Sequence, residues 1–313
     1  MDMYLTTEDF REMMRVMYTD QQPYTLGEYE GIPLASEVCE IMDELRSFEV
    51  RADDCWIVTY PKAGTTWVQE IMSAVMHDGN LEEVNKSHSM LRVPYFEQTF
   101  PEEVRRLKNL PTTHRIADEM PSPRVIKSHL PGQLLPPQIW TKKAKIVYVI
   151  RNPKDLMVSF FHFEQMLNLK GAGLSFEEYL GYRNSKKASY GSWWDHYLYF
   201  WKRRHQPNVL VLRFEDLKRD LRGNVEIISQ FLGKALSAKT LDDITEHCSF
   251  INMKNNPMTN PDSLLAADEI PGRSFMRKGK SGNWKTHFTV AQNESMDALI
   301  KEKLHGTGLT FDH

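Results

Sequence analysis

Apolar positions recur along the chain with two different periods. Around Glu37–Arg46 they are Val38, Ile41, Met42 and Leu45, which fall on one side of a helix. Cys55–Tyr60 (CWIVTY) is instead an unbroken apolar, β-branched and aromatic run, the pattern of a buried strand. Pro61–Gly64 breaks it. Thr65 then opens a helix carrying Trp67, Val68, Ile71, Met72 and Val75, which ends near Gly79. The alternation repeats. A strand at Arg124–Lys127 follows Pro123, and another at Lys145–Ile150 (KIVYVI) stops at Arg151-Asn152-Pro153. Pro153 suits the first turn of a helix with Leu156, Met157, Phe160, Phe161 and Phe163. The pattern further predicts an aromatic helix over Tyr190–His205, a strand over Asn208–Leu212, and helices over Asn224–Leu232, Ala238–His247 and Val290–Leu304. Gln21–Pro33 reads as a loop. Asn255–Gly282 reads as a long ordered loop, and such loops usually carry function.

Strands alternating with helices predict an α/β fold: one domain over 1–313, a doubly wound parallel sheet flanked by helices. Ligands of such sheets bind beyond the carboxyl ends of the strands. Three strand ends are therefore singled out: Tyr60-Pro61-Lys62, Lys127-Ser128-His129 and Arg151-Asn152-Pro153.

Composition narrows the function classes. Lys and Arg number 39 against 42 Asp and Glu, a net charge of -3, so the chain is no polycation and no nucleic-acid partner is expected. Cys39, Cys55 and Cys248 are too few and too far apart for a disulfide framework or a zinc pattern, which points to a reducing compartment. The acidic N-terminus lacks the apolar core of a signal peptide, and no apolar run has membrane length. The expectation is a cytoplasmic protein with no membrane partner.

At the first strand end, Thr59–Trp67 (TYPKAGTTW) turns sharply from strand into helix. Backbone N–H groups and the helix dipole favour an anion there. Gly64 allows close approach, Thr65 and Thr66 offer hydroxyls, and Lys62 offers charge. A plain turn with an N-capping Thr would use some of these residues; the added Lys and Gly favour phosphate binding. The loop is not the nucleotide-kinase motif, since Lys62 precedes Gly64. The strand KIVYVI also ends in Arg151 where a magnesium-holding Asp would stand. An anionic donor other than Mg-ATP is implied, with no metal.

At the second end, Lys127 and His129 are two residues apart and share a face. His129 is a candidate base, which the adjacent Lys127 would keep neutral. A lone His is usually a surface or core residue; the phosphate loop on the same sheet edge favours catalysis. At the third end Arg151 is followed by Ser159 two helical turns on. Farther along, Arg277–Lys285 (RKGKSGNWK) holds four cations and no anion, with Gly279 and Gly282 permitting close backbone approach. Charge runs are usually solvated loops. The interleaved Gly and Trp favour an ordered anion site.

These segments resemble, in order, the four signature regions of the cytosolic sulfotransferases: YPKAGTTW (Tyr60–Trp67), the Lys127-Ser128-His129 strand end, RNPKDLMVS (Arg151–Ser159) and RKGKSGNWK (Arg277–Lys285). The similarity runs from about Asp53 to near the C-terminus. It implies a P-loop-kinase-like fold with a phosphosulfate-binding loop. It also implies transfer of a sulfuryl group from 3′-phosphoadenosine 5′-phosphosulfate (PAPS) to a hydroxyl or amine of a small hydrophobic acceptor, leaving PAP. By this resemblance Lys62, Ala63, Gly64, Thr65 and Thr66 hold the 5′-phosphosulfate, Trp67 and Phe250 sandwich the adenine with Cys248 beside them, and Tyr190 stands by the base. Arg151, Ser159, Arg277, Lys278 and Gly279 match the 3′-phosphate site. His129 matches the base and Lys127 the charge that stabilises the transition state. Lys285–Glu294 matches a small homodimer motif. Ala63, Cys248 and Asn283 depart from the family's usual Ser, Thr and Asp. Residues 1–50 match least and are expected to line the acceptor pocket. Tyr95, Phe96, Phe160 and Phe163 are either its aromatic walls or core. The competing readings are a metal-dependent nucleotide kinase, a PAPS-binding homologue without turnover, and a membrane-anchored carbohydrate sulfotransferase. The missing metal residues, the joint presence of Lys62 and His129, and the N-terminal pattern argue against them in turn.

Overall fold

The computed structural model describes residues 25–99, 102, 105–106, 111–263 and 274–311. The start of the predicted loop Gln21–Pro33, and 264–273 of the predicted loop Asn255–Gly282, lie outside them.

The first of these loops is a hairpin instead: β1 (Leu26–Tyr29) pairs antiparallel with β2 (Ile32–Ala35). Glu30 and Gly31 make the turn at φ 48° and 77°, the left-handed pair that a tight hairpin requires. Strands of four residues, one holding Gly27 and the other Pro33, give too little alternation to read. Helix α1 (Ser36–Arg46) follows and buries the predicted stripe of Val38, Ile41, Met42 and Leu45.

The central sheet is parallel, in the order β4 (Val125–Ser128), β3 (Cys55–Thr59), β5 (Lys145–Ile150), β6 (Val209–Arg213). Every residue of β3 is buried, because both faces of the sheet are covered. Along β3, Trp56 and Val58 point into one core, and Cys55 and Ile57 into the other. Along β5, Ile146, Tyr148 and Ile150 join the first core, and Val147 and Val149 the second. The first core is completed by α1, α3 (Pro153–Met166), α4 (Phe176–Arg183), α5 (Trp193–Trp201) and the last helix, α10 (Val290–Leu304). The second is completed by α2 (Thr65–Met76), α6 (Phe214–Arg219), α7 (Leu221–Leu232) and α8 (Ala238–His247). Chain direction across the sheet reverses between β3 and β5, so the crevice for a ligand opens at their carboxyl ends.

Two predicted strands sit one residue later than read, at Val125–Ser128 and Val209–Arg213. The aromatic helix is shorter than Tyr190–His205. Tyr190 and Gly191 are left-handed, at φ 66° and 73°, so α5 starts only at its Ser192 cap. Tertiary bonds hold that bend. Tyr190 N–H donates to the Pro33 carbonyl at 2.8 Å, and Tyr60 OH donates to the Gly191 carbonyl at 3.1 Å. The long loop also contains helix, α9 (Phe250–Asn255), capped by Ser249. Of the four candidate aromatic walls, Phe96 packs edge-on against Trp56 and Phe48 in the core. Phe160 is equally buried, beneath the Arg183 guanidinium.

Candidate active site

The loop after β3 is strained where the ligand would approach. Lys62 has φ 71° and Gly64 has φ 126°. A Cβ on Gly64 would sit 2.9 Å from the Phe214 ring, so only glycine fits. This geometry presents the N-terminus of α2, where Trp67 N–H turns back to the Gly64 carbonyl at 3.1 Å and the N–H groups of Thr65 and Thr66 precede the first helical bond. Thr65 Oγ1 lies 2.6 Å from Thr59 Oγ1. Lys62 is half-buried, its ammonium 4.1 Å from the Phe163 ring centroid and 3.7 Å from that of Phe275. Burial chiefly, then Arg151, lowers its pKa to about 7. Ala63 is fully buried in the core.

β4 lies next to β3 and delivers the second strand end to the same mouth. His129 Nδ1 is 2.8 Å from the Thr59 carbonyl oxygen. A carbonyl only accepts, so Nδ1 carries the hydrogen and Nε2 keeps its lone pair. Burial lowers the His129 pKa to about 3, with Lys127, His196 and Lys62 adding to the effect and the Thr59 bond opposing it. The sequence suggested a base titrating near neutrality with Lys127 as the main perturbation; burial outweighs Lys127. Lys127 Nζ donates to Gln69 Oε1 at 2.9 Å, and burial lowers its pKa to about 8. Tyr95 and Tyr190 flank the imidazole edge-on, with centroids 5.1 and 6.0 Å away. Their hydroxyls are 2.7 Å apart.

The third strand end lies on the other side of β3. Arg151 is buried. It donates to the Lys62 carbonyl at 3.1 Å and to the Lys280 carbonyl at 3.4 Å, and its Nε has no partner among the described residues. One residue thus joins the first strand end to the basic loop. Ser159 is half-buried on α3. Arg277 is half-buried and its pKa is lowered by burial. Lys278 is exposed and donates to Asn283 Oδ1 at 2.8 Å. Gly279 is left-handed at φ 57°, and a Cβ there would overlap the Phe250 ring. Trp67 Nε1 donates to the Cys248 carbonyl at 2.8 Å, which draws α2 to the residue just before α9. Cys248 serves here through its backbone; its thiol is buried and its pKa pushed well up. Lys62–Trp67, Lys127, His129, Arg151 and Tyr190 therefore gather around one mouth, with Cys248, Phe250 and Arg277–Gly279 along its rim.

The model of the family described as "Sulfotransferase domain" matches residues 52–308. The chain belongs to the sulfotransferase family. It is an enzyme of that class. Sulfotransferase 1C2 of Rattus norvegicus is 40% identical over 290 residues, 91% of this chain and 95% of its own. Sulfotransferase 1A1 of Canis lupus familiaris is 40% identical over 285 residues, 90% and 94% of the two chains. A crystal structure of retinol dehydratase with retinol and PAP superposes with a TM-score of 0.84 at 26% identity, covering 96% of each chain. A complex of retinol dehydratase with androsterone and PAP scores 0.83, also at 26%.

Sequence reasoning missed several residues that build this sulfotransferase site. Asp155 is buried and accepts the Gly282 N–H at 2.6 Å and the Trp284 N–H at 3.0 Å. It pins the basic loop to the first turn of α3. Lys154 is buried under Trp284, its ammonium 4.0 Å from the ring centroid and 2.5 Å from Asp297. Thr59, Gln69, Phe214 and His196 were also missed. His196 donates Nε2–H to the His129 carbonyl at 3.0 Å, and its Nδ1 accepts from Tyr148 OH at 2.7 Å. The charge of Asp155 inside RNPKDL was the one available signal.

Proposed function

We propose that this sulfotransferase moves the sulfuryl group of PAPS onto the hydroxyl, or amine, of a small hydrophobic acceptor, in line, with His129 as general base. The observation that carries the reading is the contact of His129 Nδ1 with the Thr59 carbonyl at 2.8 Å, beside Thr59 Oγ1 at 3.0 Å: a carbonyl can only accept, which assigns the hydrogen to Nδ1 and leaves the Nε2 lone pair to take the acceptor proton. The residues fit such a donor. Arg151 has a buried N–H without a partner among the described residues, and Gly64 and Gly279 let the backbone pass close against the rings of Phe214 and Phe250 where a side chain would clash. When bound, the donor supplies the sulfur centre: a bond forms from the acceptor atom to sulfur as the bond from sulfur to the phosphate oxygen breaks. Lys62 and the α2 N-terminus stabilise the charge on that leaving oxygen. Lys127 faces the sulfuryl oxygens. Trp67 and Phe250 hold the adenine, and Arg151, Ser159, Arg277, Lys278 and Gly279 hold the 3′-phosphate. Tyr95 and Tyr190 border the acceptor. Fixed cations placed before the reaction supply most of the rate. The direct test offers labelled PAPS with phenols, steroids, alkanols and amines. No labelled product from any of them would overturn the proposal.

Donor binding is coupled to protons. Lys62 titrates near 7 in the free protein, and an anion beside it favours the charged form. Binding of PAP at pH 8 therefore takes up a proton, and affinity falls as pH rises above 7. Calorimetry in buffers of different ionisation enthalpy measures the uptake. Zero uptake or release would remove Lys62 from the phosphate site.

We further infer one domain over 1–313, cytoplasmic, working as a homodimer through Lys285–Glu294. Val290 in that segment is 76% exposed, unusual for a large apolar side chain. Thr289 caps α10 and leaves Val290 outside. Such a short interface lies at the small end of the size range. Val290→Glu is expected to give a monomer in sedimentation. An unchanged dimer would exclude this surface.

A further inference from the structure

Glu97 lies under the base and has no part in the reading above. It is fully buried. Its Oε1 accepts the His129 backbone N–H at 2.6 Å; Oε2 makes no well-formed hydrogen bond among the described residues, although the Ser128 hydroxyl and the Glu97 backbone lie near enough to favour the charged carboxylate. A fully buried carboxyl with incomplete hydrogen bonding costs stability, and an apolar side chain would fill the space without that cost. Burial pushes the Glu97 pKa up to about 7, so it still becomes an anion in the neutral range.

Its charge favours the ammonium of Lys127, two residues before His129 on the same strand end. The other groups around Lys127 supply no negative charge. Gln69 on α2 is a neutral acceptor at 2.9 Å. Tyr95 offers its ring face at 5.6 Å. His88 and His129 are held neutral, with pKa values lowered by burial to about 4 and about 3. Tyr95–Glu97 is also tied to the strand end directly: Phe96 N–H donates to the Lys127 carbonyl at 2.8 Å, and Lys127 N–H to the Pro94 carbonyl at 3.0 Å.

We propose that Glu97 is a positioning residue for sulfuryl transfer, which holds the backbone carrying His129 and sets a carboxylate beside the strand end that carries Lys127. The proposal rests on the roles given above to His129 and Lys127. Glu97 touches no reacting atom; it acts through both of them.

Two variants separate its functions. Glu97→Gln keeps an oxygen for the His129 N–H and removes the charge. Glu97→Ala removes both. Turnover is followed from pH 6 to 9 with saturating PAPS and a simple phenol, where the donor's own anion keeps Lys62 charged. Glu97→Ala is expected to lower kcat at least about tenfold at every pH, with PAP affinity within about twofold of the native protein. Glu97→Gln is expected to recover most of that loss at pH 6.5. Its alkaline fall should start about one pH unit lower, leaving about a tenfold deficit at pH 8.5. A Glu97→Gln profile that superimposes on the native one would overturn the proposal, as would native turnover in Glu97→Ala. Melting curves show whether each variant is folded, and the near-isosteric Gln variant settles the question if Ala does not fold. His129→Ala distinguishes the underlying reading: native turnover there ends the role of His129 as base, whereas the shifted alkaline limb reports Glu97 and Lys127 alone.

Discussion

His129→Ala lowers turnover by about a hundredfold or more and leaves PAP binding within a few-fold of the native protein. The expectation follows from how the imidazole is held. Nδ1 is fixed on the Thr59 carbonyl, the backbone N–H on Glu97 and the carbonyl on His196. Removing the ring leaves the two backbone bonds standing and removes the Nε2 lone pair together with the Nδ1 bond that oriented it. The depressed pKa gives a second, independent expectation. A free histidine would lose its basic form as pH falls through 6.5, but this one stays neutral until about 3. The acid side of the kcat profile should therefore show no limb near 6.5 that belongs to His129. So weak a base still serves, because the acceptor proton becomes acidic only as the acceptor oxygen bonds to sulfur. Rates are measured with the acceptor found in the labelled-donor screen. A variant with near-native turnover would remove His129 from the mechanism.

Adenosine 5′-phosphosulfate, which lacks the 3′-phosphate, is expected to be a very poor donor. Arg151 is buried with an N–H left over, and Arg277 and Lys278 come from a segment more than a hundred residues away. Asp155 offsets part of the repulsion between Arg151 and Arg277, and a bound phosphate would offset the rest. In the proposed reading the loop from Lys62 to Thr66 takes the 5′ end of the donor, and the second cluster takes its 3′-phosphate. Each charge-assisted bond lost with that anion costs roughly 1.5–3 kcal/mol, so losing two lowers affinity at least about a hundredfold. Arg277→Ala should accordingly weaken PAPS far more than the unphosphorylated analogue. Equal losses for the two donors would withdraw Arg277 from the site. Equal use of both by the native protein would withdraw the site itself. Asp155 offers a control, because it holds the loop through Gly282 and Trp284 without carrying positive charge. Asp155→Ala should weaken PAPS through disorder of the loop.

The sequence carried the local part of this protein. Apolar runs named three of the four strands of the sheet to within a residue, and KIVYVI to the residue, because a strand buried on both faces must be apolar throughout. The spacing of Lys62, Gly64 and the Thr pair named the anion loop, because a strand turning into a helix exposes its N–H groups whatever the rest of the fold does. The family followed from four such segments in order, and residues 52–308 carry it. Tertiary structure decided what distance along the chain conceals. The bend at Tyr190 depends on Pro33 and Tyr60, so no local pattern marks the true start of α5. Phe96 and Phe160 have the composition of pocket walls, and only packing turns them into core. Asp155, Glu97 and Gln69 look like ordinary polar positions in sequence; burial makes them partners of the basic loop, His129 and Lys127. The same holds for charge. The residue types name the groups that can titrate, but desolvation sets their values, and desolvation depends on every element folded over the site. That is why sequence could name His129 and Lys62, and only the folded chain could bring them to about 3 and about 7.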